Sequence, residues 1–128
     1  MHSAKDIEAA IANLGKKPNA ALVVASDTFN TVHSELIVEL VACYRLPTVY
    51  PLLHFAKIGG LMSYGPDTAD TVRRSASYVD RILKGEKPAE LPVQAPTRYA
   101  LTINLNAAKT LGLEVPTSLL QRADEIIE

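Results

Sequence analysis

Ser26-Asp27-Thr28-Phe29-Asn30 stands between an apolar run, AALVVA (20–25), and an amphipathic segment. In open α/β sheets, ligands sit beyond the carboxyl ends of the strands. The first turn of a helix also attracts anions such as an α-carboxylate. Asp27 has the opposite sign and suits a ligand ammonium group. The same residues, with Thr31, would serve equally to turn the chain and cap a helix. Tyr50 and Pro51 end a short β-branched stretch, TVY, and by the same rule face the same side. A tyrosine there suits the wall of a pocket for an apolar side chain, or the margin of a core. Asp67 stands one residue ahead of a helical pattern, where a carboxylate accepts from the free backbone donors.

Other residue types promise less. His33, Ser34 and Glu35 are adjacent, but neighbours on a helix point in different directions, so they form no triad and are expected on a solvated face. His54 has no second ligand at metal spacing. Cys43 is the single cysteine, so an internal disulfide is impossible and the residue is expected at the core or its rim. The Gly-rich phosphate loops and the Gly-x-Ser-x-Gly elbow are absent from the sequence, which leaves nucleotide, dinucleotide and serine-hydrolase chemistry without a motif. An enzyme using Asp27 as acid or nucleophile would lack a partner base. No catalytic residue, metal or cofactor is expected.

Several elements must position these residues. Ser3 and Asp6 resemble a capping box ahead of the stripe Ile7, Ala10, Ile11, Leu14, with Gly15 as the stop. AALVVA reads as a buried parallel strand. Thr31–Tyr44 carries Val32, Leu36, Ile37, Leu40, Val41 and Tyr44 on one helical face. Residues 48–50 read as a strand, 51–57 as a short helix with Pro51 near its start, and 61–64 as a third strand ended by Gly65-Pro66. This β-α-β-α-β order, with such short links, implies an α/β layer of parallel strands. Beyond it, 68–84 reads as a long helix, 86–97 as a stiff proline-rich connection, and 98–105 as an alternating strand at a sheet edge. Asn106 would cap a short helix stopped by Gly112, and Thr117 a last helix with the stripe Leu119, Leu120, Ala123, Ile126, Ile127.

The bulk composition agrees with a globular domain: 128 residues are 48% hydrophobic and 21% charged, too apolar for disorder. Thirteen Lys and Arg against fourteen Asp and Glu give a net charge of −1, and the basic residues are scattered, so no nucleic-acid partner is expected. The start of the chain lacks the apolar centre of a signal peptide.

The segments GGLMSYGPD (59–67), YVDRILKGEKPAELPVQAPT (78–97), YALTINLNAAKTLGLEVPTSLL (99–120) and RADEIIE (122–128) resemble the C-terminal part of the ABC-transporter substrate-binding protein family. That family has a type I periplasmic-binding-protein fold, and its bacterial members include proteins that bind tryptophan and other amino acids. The resemblance implies an α/β three-layer sandwich with a mainly parallel sheet, a Rossmann-like lobe, a small solute such as an amino acid, and an ABC permease as partner. It adds Thr28 to Asp27 in the ligand loop, and places Tyr64 and Asp67 at an elbow where ligands are contacted. It also implies a division at the elbow. Residues 1–64 resemble the second lobe, whereas 65–128 hold the crossing, long helix, linker, strand and C-terminal helices that pack on the first lobe. Family members are more than twice this length and work outside the cytoplasm, whereas a chain complete as written, without an export signal, would stay inside.

The long helix then poses a packing problem. Ala69, Val72, Ala76, Val79 and Leu83 recur at spacings of three and four, and burying five such side chains is worth on the order of 5 kcal/mol. If the surface that covers them is absent, the expectation is a homo-oligomer joined through Val72, Val79 and Leu83. Such an assembly, without a ligand of its own, is the alternative reading of function.

Overall fold

Ser3 Oγ accepts from the Asp6 N–H (3.3 Å) and the Asp6 carboxylate accepts from the Ser3 N–H (3.1 Å), the expected reciprocal cap. Helix α1 (Ala4–Gly15) follows and buries Ile7 and Ile11. The computed structural model describes residues 3–128. Its sheet has five strands in the order β1 (Leu22–Val23), β2 (Thr48–Tyr50), β3 (Met62–Pro66), β4 (Tyr99–Asn104) and β5 (Glu125–Ile127). The pairs β1–β2, β2–β3 and β4–β5 are parallel. Between β3 and β4 the Asn104 N–H donates to Leu61 O and the Asp67 N–H to Arg98 O. One number rises as the other falls, so this pair is antiparallel. The result is an α/β fold with a mixed, mostly parallel sheet.

Two compact units are present: the residues through Gly65 together with Ala100–Glu128, and Pro66–Tyr99. In the first, Ile7, Ile11, Val24, Ile37, Val38, Val41, Leu46, Tyr50 and Phe55 form one buried cluster. Val24, just after β1, and Tyr50 in β2 face it and alternate with more exposed neighbours as the period of two requires.

The helix expected over 31–44 is two helices, α2 (Thr28–Val32) and α3 (Ser34–Cys43), with His33 at φ −99°, ψ 22° between them. SDTFN is therefore not all loop: the cap at Asp27 starts a helix three residues earlier than the stripe suggested. The break also rotates the buried face, which becomes Ser34, Ile37, Val38 and Val41 and leaves Val32 exposed. Ser34 is thus buried rather than on a solvated face. Helix α4 (Leu53–Lys57) begins two residues after Pro51.

Strand β3 continues through Gly65-Pro66, because proline has no N–H to lose and Asp67 resumes the pairing with Arg98. β4 is internal, not an edge, since β5 covers its other side. Helix α6 (Leu105–Leu111) is capped by Asn104 rather than Asn106, and Gly112 ends it at φ 70°. The last helix, α7 (Thr117–Leu120), is one turn with Pro116 at its cap position. Ile126 and Ile127 belong to β5, where the β4 ladder offers the backbone partners that a lone terminal helix would lack.

The second unit is α5 (Thr68–Leu83) and its strap. Along one side, Arg74 donates to Thr97 Oγ1 (2.7 Å) and Gln94 Oε1 (2.8 Å). On the same side the Tyr78 hydroxyl donates to Pro92 O and Arg81 pairs with Glu86. These positions, spaced four and three apart, hold residues 86–97 on one helical face. The strap is irregular except for a 3₁₀ turn at Pro88–Glu90. The apolar face stays open: Val72, Val79 and Leu83 are 65%, 55% and 82% exposed.

Asn104 is buried with both ends of its amide engaged: Nδ2 donates to Ala56 O (3.0 Å) and Oδ1 accepts from the Ala107 N–H (3.0 Å). Asn104→Leu leaves the Ala107 N–H without a partner and Ala56 O with only its bond from the Gly59 N–H (3.3 Å), and equilibrium urea unfolding should show a loss of about 1–3 kcal/mol.

Candidate functional site

The carboxyl ends of β1 and β2 meet different surroundings. After β1 the chain turns at Asp27, whose Oδ1 accepts from the Asn30 N–H (2.7 Å) and whose Oδ2 accepts from Asn30 Nδ2 (2.9 Å). Asn30 Nδ2 also donates to Ala25 O (3.0 Å), so one amide ties the strand end to the first turn of α2. A carboxylate has about four acceptor positions, and Asp27 is exposed, so room remains for a further donor. Thr28, the first residue of α2, is exposed beside it.

Behind this loop lies a cavity of about 490 Å³ whose lining includes Ile11, Leu14, Leu22 and Phe29. Asp27 and Asn30 are its polar side chains. Asn30 is the residue that sequence reasoning reduced to a turn former. Its signal was the Asp-x-x-Asn spacing, which brings the amide back onto the cap.

Tyr50 does not join Asp27. It is 1% exposed, stacks on Phe55 (centroids 4.9 Å, planes 15° apart), and lines a separate cavity of about 330 Å³ with Gly60, Leu61 and Asn104. Thr48 lies near its hydroxyl but directs its own Oγ1 to Leu46 O (3.0 Å), and the phenol is left without a partner in bonding geometry. Burial pushes the Tyr50 phenol up to about 12, partly offset by Thr48. Beside it, Gly65 passes so close that a β-carbon would stand 1.9 Å from Pro51 O, so the carboxyl ends of β2 and β3 touch backbone to backbone.

Tyr64, in β3, is 57% exposed. In the second unit, Asp67 caps α5 by accepting from the Asp70 N–H (3.1 Å), and its other oxygen lies 3.4 Å from Arg98 Nε. Ser34 Oγ and His54 Nε2 are 3.2 Å apart, a link between α3 and α4, while His33 Nδ1 contacts Phe29 O (2.9 Å). The adjacent pair thus diverges, as helical neighbours must. Cys43 is exposed. Among the described residues no three His, Cys, Asp or Glu side chains come together around a possible metal ion.

A mostly parallel sheet with a polar cap loop at a strand's carboxyl end is an open α/β architecture, the class in which ligands sit beyond the strand ends. The chain belongs to the ABC transporter substrate binding protein family, whose model matches residues 1–127. Members of this family bind solutes and do not catalyse. A conserved domain protein from Vibrio cholerae O1 biovar El Tor superposes with TM-score 0.86 at 24% identity, over 98% of this chain and 42% of that one. An ABC domain from Streptococcus pneumoniae, solved in complex with L-Trp, gives 0.86 at 25% identity, over 99% and 44%. A substrate-binding protein with adhesive properties from Clostridium difficile, in its ligand-free open form, gives 0.67 at 16% identity, over 99% and 42%. No curated protein matches the sequence. The chain therefore spans less than half the length of these solved relatives.

The raised Tyr50 phenol makes a pH test. An unfolded tyrosine ionises near 10 and the folded one at about 12, so the stability is intact below pH 10 and is lost as pH rises toward 12. Chemical denaturation should show that alkaline loss in the native protein. Tyr50→Phe, which keeps the stack on Phe55, should remove much of it.

Proposed function

We propose that this chain is a solute-binding part of an ABC transporter's substrate-binding protein, and that its solute is an amino acid met at the loop after β1. The carrying observation is the exposed Asp27 carboxylate, held in a fixed orientation by Asn30 at the carboxyl end of a parallel strand. An ammonium group suits its open acceptor positions, Thr28 adds a hydroxyl, and Tyr64 offers an exposed ring from β3. Tyr50 then contributes from behind the sheet end rather than by touching the solute. The L-Trp bound in the pneumococcal relative supports the same class of ligand. Such a protein works outside the cytoplasm and hands its solute to a permease.

Isothermal calorimetry against a panel of aromatic and branched L-amino acids tests this. Asn is as good a cap as Asp, so Asp27→Asn keeps the cap on the Asn30 N–H while removing the charge and, because an amide NH2 cannot accept, the bond from Asn30 Nδ2. Binding should weaken by about tenfold or more. Silence across the whole panel turns the reading to the alternative, an interaction protein without a solute.

The open face of α5 supports that alternative, and is compatible with the first reading too. Its Val72, Val79 and Leu83 suit a second copy of this chain, α5 packed on α5. Val79→Lys with Leu83→Lys changes only exposed positions. Light scattering should show the oligomer dissociate on this double change, with circular dichroism unaltered.

A further inference from the structure

Tyr50 carries the one buried side-chain polar atom that lacks a hydrogen-bond partner among the described residues, its phenol oxygen. The residue is 1% exposed, and a buried hydroxyl left unpaired is costly. Thr48, its near neighbour, spends its own hydrogen on Leu46 O and stands outside bonding geometry to the phenol. Tyr50 also lines the cavity of about 330 Å³ between α3 and α6. Asn104 lines it too, and of the two hydrogens on its Nδ2 one is given to Ala56 O. Val38, Val41 and Leu61, all buried, supply apolar walls. The Gly59-Gly60 turn brings no side chain into the space, and at Gly60 none fits, because a β-carbon would stand 2.6 Å from the Tyr50 ring. This cavity shares no residue with the one behind Asp27: α3 stands between them, giving Ile37 to that one and Val38 to this.

We infer that this cavity is a second binding site, for a small uncharged molecule with an apolar body and a carbonyl-type acceptor. A ligand oxygen gives the phenol the acceptor it lacks, and the spare Asn104 N–H is a further donor in the same lining. Burial keeps the phenol protonated at neutral pH, so it donates there. Spare donors suit an acceptor and not a cation. The one charged side chain in the lining, Glu39, is acidic and exposed, and opposes an anion that would already lose its hydration on entry. A single water takes up about 30 Å³ and cannot fill the space. A volume of about 330 Å³, mostly apolar with a few placed polar groups, is that of a small-molecule pocket. Floor and walls all come from the first unit.

This inference does not depend on the reading of the Asp27 loop or of α5. Two probes of similar size test it by amide NMR titration of the chain: acetophenone, which carries a carbonyl, and ethylbenzene, which has no acceptor. Acetophenone should shift the Gly60 and Ala107 amides saturably, and ethylbenzene should bind at least about fivefold more weakly. Tyr50→Phe, which keeps the stack on Phe55, should bring acetophenone toward the ethylbenzene level. Ala42→Leu, at an exposed position of the α3 wall, should abolish both titrations. Asp27→Asn should leave both unchanged, which separates this site from the loop. No saturable shift with either probe, equal affinity for the two, acetophenone binding indifferent to Y50F, or its displacement by benzoate would overturn the proposal.

Discussion

One buried amide ties together the two stretches of chain that make up the first unit. Asn104 reaches Ala56 O with one end of its side chain and the Ala107 N–H with the other, while its backbone donates to Leu61 O. A side chain that polar is costly to bury without partners, and here it has them on α4, on α6 and at the start of β3. Those partners come from stretches about fifty residues apart in sequence. The single antiparallel step in the sheet, β3 to β4, is fixed at the same place. The C-terminal residues thus complete the sheet begun by the first sixty-five.

The second unit is built on a different economy of contacts. α5 buries none of its residues, and its internal order comes from Arg74, Tyr78 and Arg81 gripping a proline-rich strap. Such polar, exposed links each contribute little, but the strap's own prolines leave it less freedom to lose. The helix therefore keeps its form while presenting Val72, Val79 and Leu83 outward.

The sequence made the main elements legible wherever a strong period met a clear stop. The stripe of α1 with its Ser3 box, the TVY strand, the length of α5 and the left-handed Gly112 are all local signals. Errors arose where tertiary pairing overrode local preference. Asn106 looked like a cap, yet Asn104 was recruited because its amide also satisfies Ala56. Ile126 and Ile127 fit a helical stripe, but β4 offered them a ladder. The break at His33 followed from Asp27 starting its helix early, which no stripe records. At the site, Asp27 was readable as a strand-end carboxylate. The separation of Tyr50 from it was not, since the direction of a tyrosine ring depends on where Phe55 and Gly60 end up.

The bare contact between Gly65 and Pro51 O has a mechanical meaning. With no room for a β-carbon there, any side chain at residue 65 would force the ends of the second and third strands apart. Tyr64 directly precedes Gly65 and Tyr50 directly precedes Pro51, so the exposed ring of one strand and the buried stack on Phe55 flank a single backbone contact that only glycine admits.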